Sequence, residues 1–332
     1  DLTVCMAAVK HGQLNPRAWQ HCGEILVVSI GLEEIMPQWN RTLPQMLTPE
    51  GVNAMLAPRA LDGHKGTFGT ALVVGGSSNY TGAPLLAGMA AARSGAGLVR
   101  MCIPAKLHPI LAGQFADAIW LLLPDDNGSI AKEAARLLEK SLDKAAAMLV
   151  GPGIGQDPET ARFVENLLKG SRGGEEQMGF STGRAKQPGK GNLSLPLVID
   201  ADGLKLLAGI KDWWALLPQN TILTPHPGEM SILTGLPVEQ IQANRLEAAG
   251  EFAQKWNCVV ALKGAGTVVA SPDGRIAILP VASSALSHAG SGDVLAGIIL
   301  GLRAQGMEAF SAACAGVWAH AEAAVIAAEE AG

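Results

Sequence analysis

Five short stretches carry glycines that bare the backbone, four of them beside charged side chains. In "HAGSGDVLAGIILGL", residues 288–302, Gly290, Ser291, Gly292 and Asp293 stand directly ahead of an apolar run with helical spacing. The leading N–H groups of a helix have no partner within it and cradle an anion, most often a phosphate. A carboxylate in that first turn equally serves to complement the helix dipole. "ALKGAGT", residues 261–267, carries a strand-like run into Lys263, Gly264, Ala265, Gly266 and Thr267. Such a loop supplies N–H donors and one ammonium to a nucleotide phosphate, or is a hairpin turn with an exposed lysine. "LTPHPGEM" encloses His226 between prolines: Pro227 biases it toward an extended backbone and itself suits a first helical position. The imidazole is thereby held at a helix entrance, as a ligand-binding group or as an ordinary turn histidine. "VIDADG" puts Asp200 and Asp202 at a strand end, to hold a metal or to cap the helix "GLKLLAG". "LVGPGIG" places Gly151, Gly153 and Gly155 after another strand, for close approach of a ligand or for tight chain reversal.

These stretches need a scaffold that ends many strands at one edge. "TALVVGG", the polar loop "SSNYTGAP", the Ala-rich helix "LLAGMAAARSGAG" and the strand "LVRMCIP" make a clean βα unit, and the alternation continues through the four strand-end motifs. This pattern predicts an α/β fold with a largely parallel central sheet and helices on both faces, with ligands outside the carboxyl ends of its strands. "TVVASPDGRIAIL" reads as a hairpin and "EAFSAACAGVWAHAEAAVIAAEEAG" as a core-packing helix. Residues 170–192, with few aliphatic side chains, read as a mobile surface insertion. Residues 1–45 hold two strand-like runs, "LTVCMAAV" and "EILVVSIGL", joined by a stretch that reads as loop, so they belong to a neighbouring domain or pack on the next one.

Composition narrows the class. At 332 residues, 48% hydrophobic and 17% charged, the chain is globular, and its net charge of −5, with 25 basic against 30 acidic residues, offers no footprint for nucleic acid. A bound phosphate must therefore be held locally. Five widely spaced cysteines without a C-x-x-C pair fit buried thiols in a reducing cytoplasm. No run of 18 uninterrupted apolar residues occurs, and a basic start followed by an apolar segment is missing, so neither membrane span nor secretion is expected. The sequence opens on Asp1 rather than Met, as a piece of a longer chain would.

"HKGTFGTALVVGGSSNYTGAPLLAGMAAARSGAGLVR", "GPGIG", "DADGL", "LTPHPGEM", "LKGAGT" and "GSGDVLAGIILGL" occur in the order and spacing of the ADP/ATP-dependent NAD(P)H-hydrate dehydratases, which the chain resembles over residues 46–332. Residues 1–45 resemble the last strands of the NAD(P)H-hydrate epimerase domain that precedes the dehydratase in bifunctional members, and epimerase activity is not expected from these strands. The resemblance implies a ribokinase-like fold and dehydration of the S epimer of NADH hydrate or NADPH hydrate. The hydroxyl is phosphorylated by ADP or ATP, and phosphate is then eliminated. Bacterial members generally use ADP.

The resemblance also implies roles. Asp293 would take the hydroxyl proton, and Gly290, Ser291 and Gly292 would form the anion hole. Lys263, Gly264, Ala265, Gly266, Thr267 and Gly292 would bind the nucleotide; Ala83, Gly155, His226 and Asp293 would line the hydrate pocket. Mg²⁺ would accompany the phosphates, with Glu229 and Asp200 reaching its water shell. At the helix N-terminus the Asp293 carboxyl is expected below its ordinary pKa. A homotetramer is implied. The family's "DADALN" reads "DADGLK" here, with Gly203 and Lys205 in place of Ala and Asn. Two other readings use the same loops: a ribokinase-like kinase of a vitamin-precursor alcohol, and a non-catalytic nucleotide-binding module. "KGTFG" with "HPGEM" favours the dehydratase over the first, and the intact "GSGD" speaks against the second.

Overall fold

A computed structural model describes residues 2–14, 16–36, 43–170, 193–281 and 283–331. Apart from Gly170, the segment expected as a mobile insertion lies outside them. Ten strands form one sheet, in the spatial order β3 (Gln45–Met46), β14 (Ile276–Ile278), β13 (Val268–Ala270), β12 (Val259–Leu262), β11 (Ile222–Leu223), β10 (Leu197–Ile199), β9 (Ala147–Val150), β4 (Thr70–Val74), β5 (Leu98–Pro104) and β6 (Ile119–Leu123). All neighbours run parallel except β12–β13 and β13–β14, the expected hairpin. The boundary expected between residues 45 and 46 falls inside β3, whose Gln45 and Met46 pair with Ala277 and Ile278 of β14.

Both faces of this sheet are covered, which explains why its strands are continuous aliphatic runs. Ala71, Val73, Met101, Leu149, Val198 and Ala261 point into one core, with the helices Gly82–Arg93, Ser291–Ala304 and Ala309–Ala331. Leu72, Val74, Met148, Ile199, Val260 and Leu262 point into the other, with Pro158–Lys169, Asp202–Ala208 and Arg245–Trp256. The last helix is long and apolar enough over Ala309–Glu330 to cross a membrane, but 61% of that window is buried in the fold, as expected of a core helix.

The amino-terminal pair differs from expectation. β1 (Leu2–Met6) and β2 (Glu24–Val28) pair in parallel, from Leu2 opposite Glu24 to Met6 opposite Val28. The intervening stretch, expected as loop, contains a helix, Pro16–Cys22. Parallel strands require a crossover, and a proline at a first helical position starts a helix rather than breaking it. Leu2, Val4, Met6 and Leu26 remain exposed, so the pair builds little core of its own. Leu14 and Val27 form one wall of a cavity whose other wall includes Met46, Leu246 and Ile278. A further short ribbon joins β7 (Asp125–Asp126) to β8 (Ser129–Ile130).

The helix that carries Asp293 is positioned by close packing on Gly82–Arg93. A Cβ at Gly297 would collide with the carbonyl oxygen of Ala87 and lie 2.8 Å from the Ala90 Cβ; at Gly301 it would lie 2.6 Å from the Ala91 carbonyl oxygen. Gly297→Ala gains about 1 kcal/mol of helix propensity. The obstacle is backbone that cannot swing aside, and overpacking of this kind costs about 1–3 kcal/mol. The variant should therefore unfold at lower denaturant concentration than the parent; equal or greater stability would contradict the close approach.

Candidate active site

Parallel strands deliver their carboxyl-terminal loops to a single edge. The chain proceeds outward from β4 to β5 and β6, then resumes at β9 on the other side of β4, which creates a crevice between the β4 and β9 loops. Two glycine turns fill this crossing: the Gly76 N–H donates to the Pro152 carbonyl at 2.8 Å, and Ser77 Oγ donates to the Gly153 carbonyl at 2.9 Å. Gly151, at φ +130°, is pressed against the Asp200 carbonyl oxygen, so the β9 and β10 turns touch backbone to backbone. Gly203 joins this contact: a Cβ there would lie 2.8 Å from the Val150 carbonyl oxygen.

Three strand ends meet at one ammonium. Lys263 Nζ donates to Asp200 Oδ1 at 2.6 Å and lies 3.8 Å from Glu229 Oε2. Thr224 Oγ1 also donates to Asp200 Oδ1, at 2.7 Å. Both carboxylates are buried. Burial works against the Lys263 charge, but Asp200, Glu229 and Asp293 outweigh it and its pKa is raised. Burial pushes Glu229 up to about 7; Lys263 opposes this, Asp200 adds to it, and the His226 N–H opposes it again.

His226 caps the helix Pro227–Thr234. Its Nδ1 accepts from the N–H groups of Gly228 and Glu229 at 3.0 and 3.2 Å, and its own N–H donates to Glu229 Oε2 at 2.8 Å. This is a capping box with imidazole in place of the usual hydroxyl, and it requires the tautomer with Nδ1 bare. The pKa of His226 is lowered, by burial first and then by Lys263 and Lys205, which preserves that acceptor.

Neither Asp200 nor Asp202 takes up the capping role considered for them. No side chain caps the helix Asp202–Ala208. Ala201, held at φ +51° and ψ −127°, sends the two carboxylates apart, a strained arrangement costing on the order of 1–3 kcal/mol. Asp200 goes to Lys263. Asp202 accepts from the Gly155 N–H at 3.3 Å, Gln156 Nε2 at 3.2 Å and Lys205 Nζ at 3.0 Å.

Two cavities open on this edge. One, of about 560 Å³, is lined by His226, Lys263, Gly264, Ala265, Thr267, Ser291 and Gly292, together with His320 from the last helix. The other, of about 540 Å³, is polar and includes Ser77, Tyr80, Gly155, Asp157, Asp202 and Lys205. The structure thus gathers most of the expected nucleotide residues but sends Gly155 and His226 to different cavities. Gly266 lies at the back of its loop, beside Arg245. Gly290 turns the chain into the helix at φ +93°, over Leu86, and Ala83 packs against Gly153. Glu229 and Asp200, expected to reach a metal's water shell, both face Lys263, and among the described residues no group of three or more His, Cys, Asp or Glu could hold a metal ion directly.

Asp293 stands between these regions, and no side chain caps its helix. Its pKa is raised to about 6, opposite to the expectation, because burial and the neighbouring Asp200 and Asp202 charges overcome Lys263. His320, Thr224 and the pairing of Lys205 with Asp202 were not expected from the sequence. The first two are isolated polar residues in apolar or proline-rich runs, without a spacing that marks them.

A ten-stranded α/β sheet gathers glycine loops, a largely buried lysine and a helix mouth without a side-chain cap at one edge, and the fold is ribokinase-like. The family model described as NAD(P)H-hydrate dehydratase matches residues 71–174 and 189–332, and the chain belongs to that family. It is 35% identical over 321 residues to a bifunctional NAD(P)H-hydrate repair enzyme of Moorella thermoacetica, covering 96% of this chain and 56% of the relative. It is 38% identical over 276 residues to an ADP-dependent (S)-NAD(P)H-hydrate dehydratase of Neisseria meningitidis, covering 82% of each chain. The ADP/ATP-dependent NAD(P)H-hydrate dehydratase of Bacillus subtilis, crystallised with ATP and Mg²⁺, superposes with a TM-score of 0.68 at 30% identity, covering 86% of this chain and 91% of the other. The chain spans a little over half the length of the bifunctional relatives it matches.

Lys263→Met would leave two buried carboxylates facing each other, a loss of about 3–5 kcal/mol by analogy with broken buried ion pairs. Glu229, already at about 7, would rise further. A folded-state pKa above the unfolded value means the native state binds more protons, so stability is retained below that pKa and lost as pH rises through it. The variant's deficit in melting temperature should be smaller at pH 5.5 than at pH 8; a deficit independent of pH would refute the pairing.

Proposed function

We propose that this chain dehydrates the S epimer of NADH hydrate or NADPH hydrate, using ADP as phosphoryl donor, and so returns damaged reduced nicotinamide to use. The observation that carries the reading is the uncapped helix mouth, Ser291 and Gly292, on the wall of the Lys263 cavity, followed immediately by Asp293. The name of the Neisseria relative supports the donor and the epimer.

The hydroxyl oxygen of the hydrate attacks the terminal phosphorus of ADP, and the bond to AMP breaks. The hydroxyl proton passes to an Asp293 carboxylate oxygen. Phosphoryl transfer has a loose transition state, so the protein's task is alignment and charge stabilisation. The N–H groups of Ser291 and Gly292 hold the moving phosphoryl group, and those of the Lys263–Thr267 loop hold the remaining phosphate. The phosphorylated hydrate then loses phosphate from its ring carbon and a proton from the adjacent carbon, restoring the double bond. The polar cavity around Gly155, Asp202 and Lys205 takes the hydrate. Mg²⁺ would accompany the nucleotide and neutralise its phosphates, with Glu229 and Asp200 within reach of its water shell. A cytoplasmic homotetramer, with residues 1–45 as the end of an epimerase-like domain, completes the reading.

Incubation with the S hydrate, Mg²⁺ and ADP or ATP should restore the absorbance of reduced nicotinamide; no recovery with either nucleotide would sink the proposal, and a phosphorylated vitamin-precursor alcohol would replace it with the kinase reading. Asp293→Asn should keep nucleotide affinity and lose about 10²–10⁴ in turnover. Asp293 acts as base when ionised, and its pKa is about 6. The parent kcat/KM should therefore climb about tenfold per unit below that pH and level off above it. A flat acid limb would remove Asp293 from the role.

A further inference from the structure

Behind the Lys263–Thr267 loop lies a cation the reaction has not used. Arg245 opens the helix Arg245–Trp256, and its Nη2 donates to the carbonyl that ends β12, Leu262 at 2.8 Å, and to two of the loop, Lys263 at 3.2 Å and Gly266 at 3.4 Å. Nη1 donates to Gln242 Oε1 at 2.7 Å. Gly264, at φ +140°, rests on the guanidinium: a Cβ there would lie 3.2 Å from Nη2 and 3.3 Å from Nη1. Nε is buried without a hydrogen-bond partner, and among the described residues no carboxylate lies within ion-pair distance of Arg245. Burial lowers its pKa to about 10, which leaves it charged at neutral pH.

A trans peptide points its N–H opposite to its C=O. Drawing the Lys263 and Gly266 carbonyls back to Arg245 therefore turns the N–H groups of Gly264 and Thr267 forward, and both residues line the 560 Å³ cavity. The ammonium of Lys263, by contrast, is committed to Asp200 and Glu229. We propose that Arg245 is the nucleotide-positioning residue of this site: it fixes the loop's N–H groups toward the phosphates and sets an unpaired positive charge behind them. This rests on the reading that the cavity takes an adenine nucleotide.

The test measures ADP affinity by calorimetry, and the KM for the hydrate, in the parent, Arg245→Lys and Arg245→Met. Hydrogen bonds to a charged group are worth enough that Arg245→Met should weaken ADP about tenfold or more, with the hydrate KM within about twofold. Arg245→Lys keeps the charge but cannot span three carbonyls, and should fall between, at about three- to fivefold. ADP affinity unchanged in both variants would overturn the inference, as would an equal rise of ADP Kd and hydrate KM with the loss of folded protein. If Arg245→Met does not fold, Arg245→Lys decides alone: weaker ADP at constant hydrate KM supports the role, and parental affinity removes it. A parent that binds no ADP or ATP would defeat the functional reading itself, whereas a binding parent with an unaffected Arg245→Met defeats only this inference.

Discussion

The ammonium of Lys263 ties together the ends of three neighbouring strands. It emerges from β12, meets Asp200 at the end of β10, and lies against Glu229 on the helix that follows β11. None of these charges is tolerable alone in its place: an unpaired buried charge costs several kcal/mol, and two unpaired carboxylates would repel. The glycine loop after Lys263, the capping of Pro227–Thr234 by His226 and the split between Asp200 and Asp202 are arranged around that triad. Stability and site geometry are thus the same contacts at this edge.

The triad also changes what Lys263 can do. An ammonium shared by two carboxylates at 2.6 and 3.8 Å contributes little net charge to a ligand beyond them. In the proposed reaction, attraction for phosphate would then fall to backbone N–H groups and helix ends, which retain their dipoles when buried, backed by the charge of Arg245. This suits the proposed reading, in which a chain with a net charge of −5 would hold a polyanion without a broad basic surface.

Much of the sheet was legible in the sequence because its determinants are local. Both faces of each strand are aliphatic, strand and helix alternate at regular spacing, and "SPDGR" marks the β13–β14 hairpin. The strand-end motifs were legible for the same reason, since glycine and proline mark where the chain turns. Relations across the sheet were not legible. Nothing around Asp200 announces Lys263, 63 positions away, and nothing in "ANRLEAAG" announces that Arg245 will reach the carbonyls of residues 262, 263 and 266. The amino-terminal crossover helix was hidden by Gly, Pro and Asn, which signal loop by composition while Pro16 starts a helix by position.

The pKa of Asp293 shows how a local rule yields to tertiary placement. A helix N-terminus stabilises a carboxylate by about 0.3–1 kcal/mol, less than one pKa unit. The displacement in the fold runs the other way, from 3.8 to about 6, because burial and two further carboxylates act on the same group. The helix mouth is therefore asymmetric in its effect. No side chain caps its N–H groups, of which that of Ser291 reaches the His288 carbonyl at 3.5 Å, while the pKa of the Asp293 carboxyl is raised to about 6. For the proposed proton transfer, a carboxylate at its ordinary pKa would be ionised but a poor acceptor, and one pushed much higher would be protonated before the hydroxyl arrived. Asp200 and Asp202, turned apart by the strained Ala201, hold it between those limits: one is tied to Lys263, the other faces the polar cavity, and both bear on Asp293.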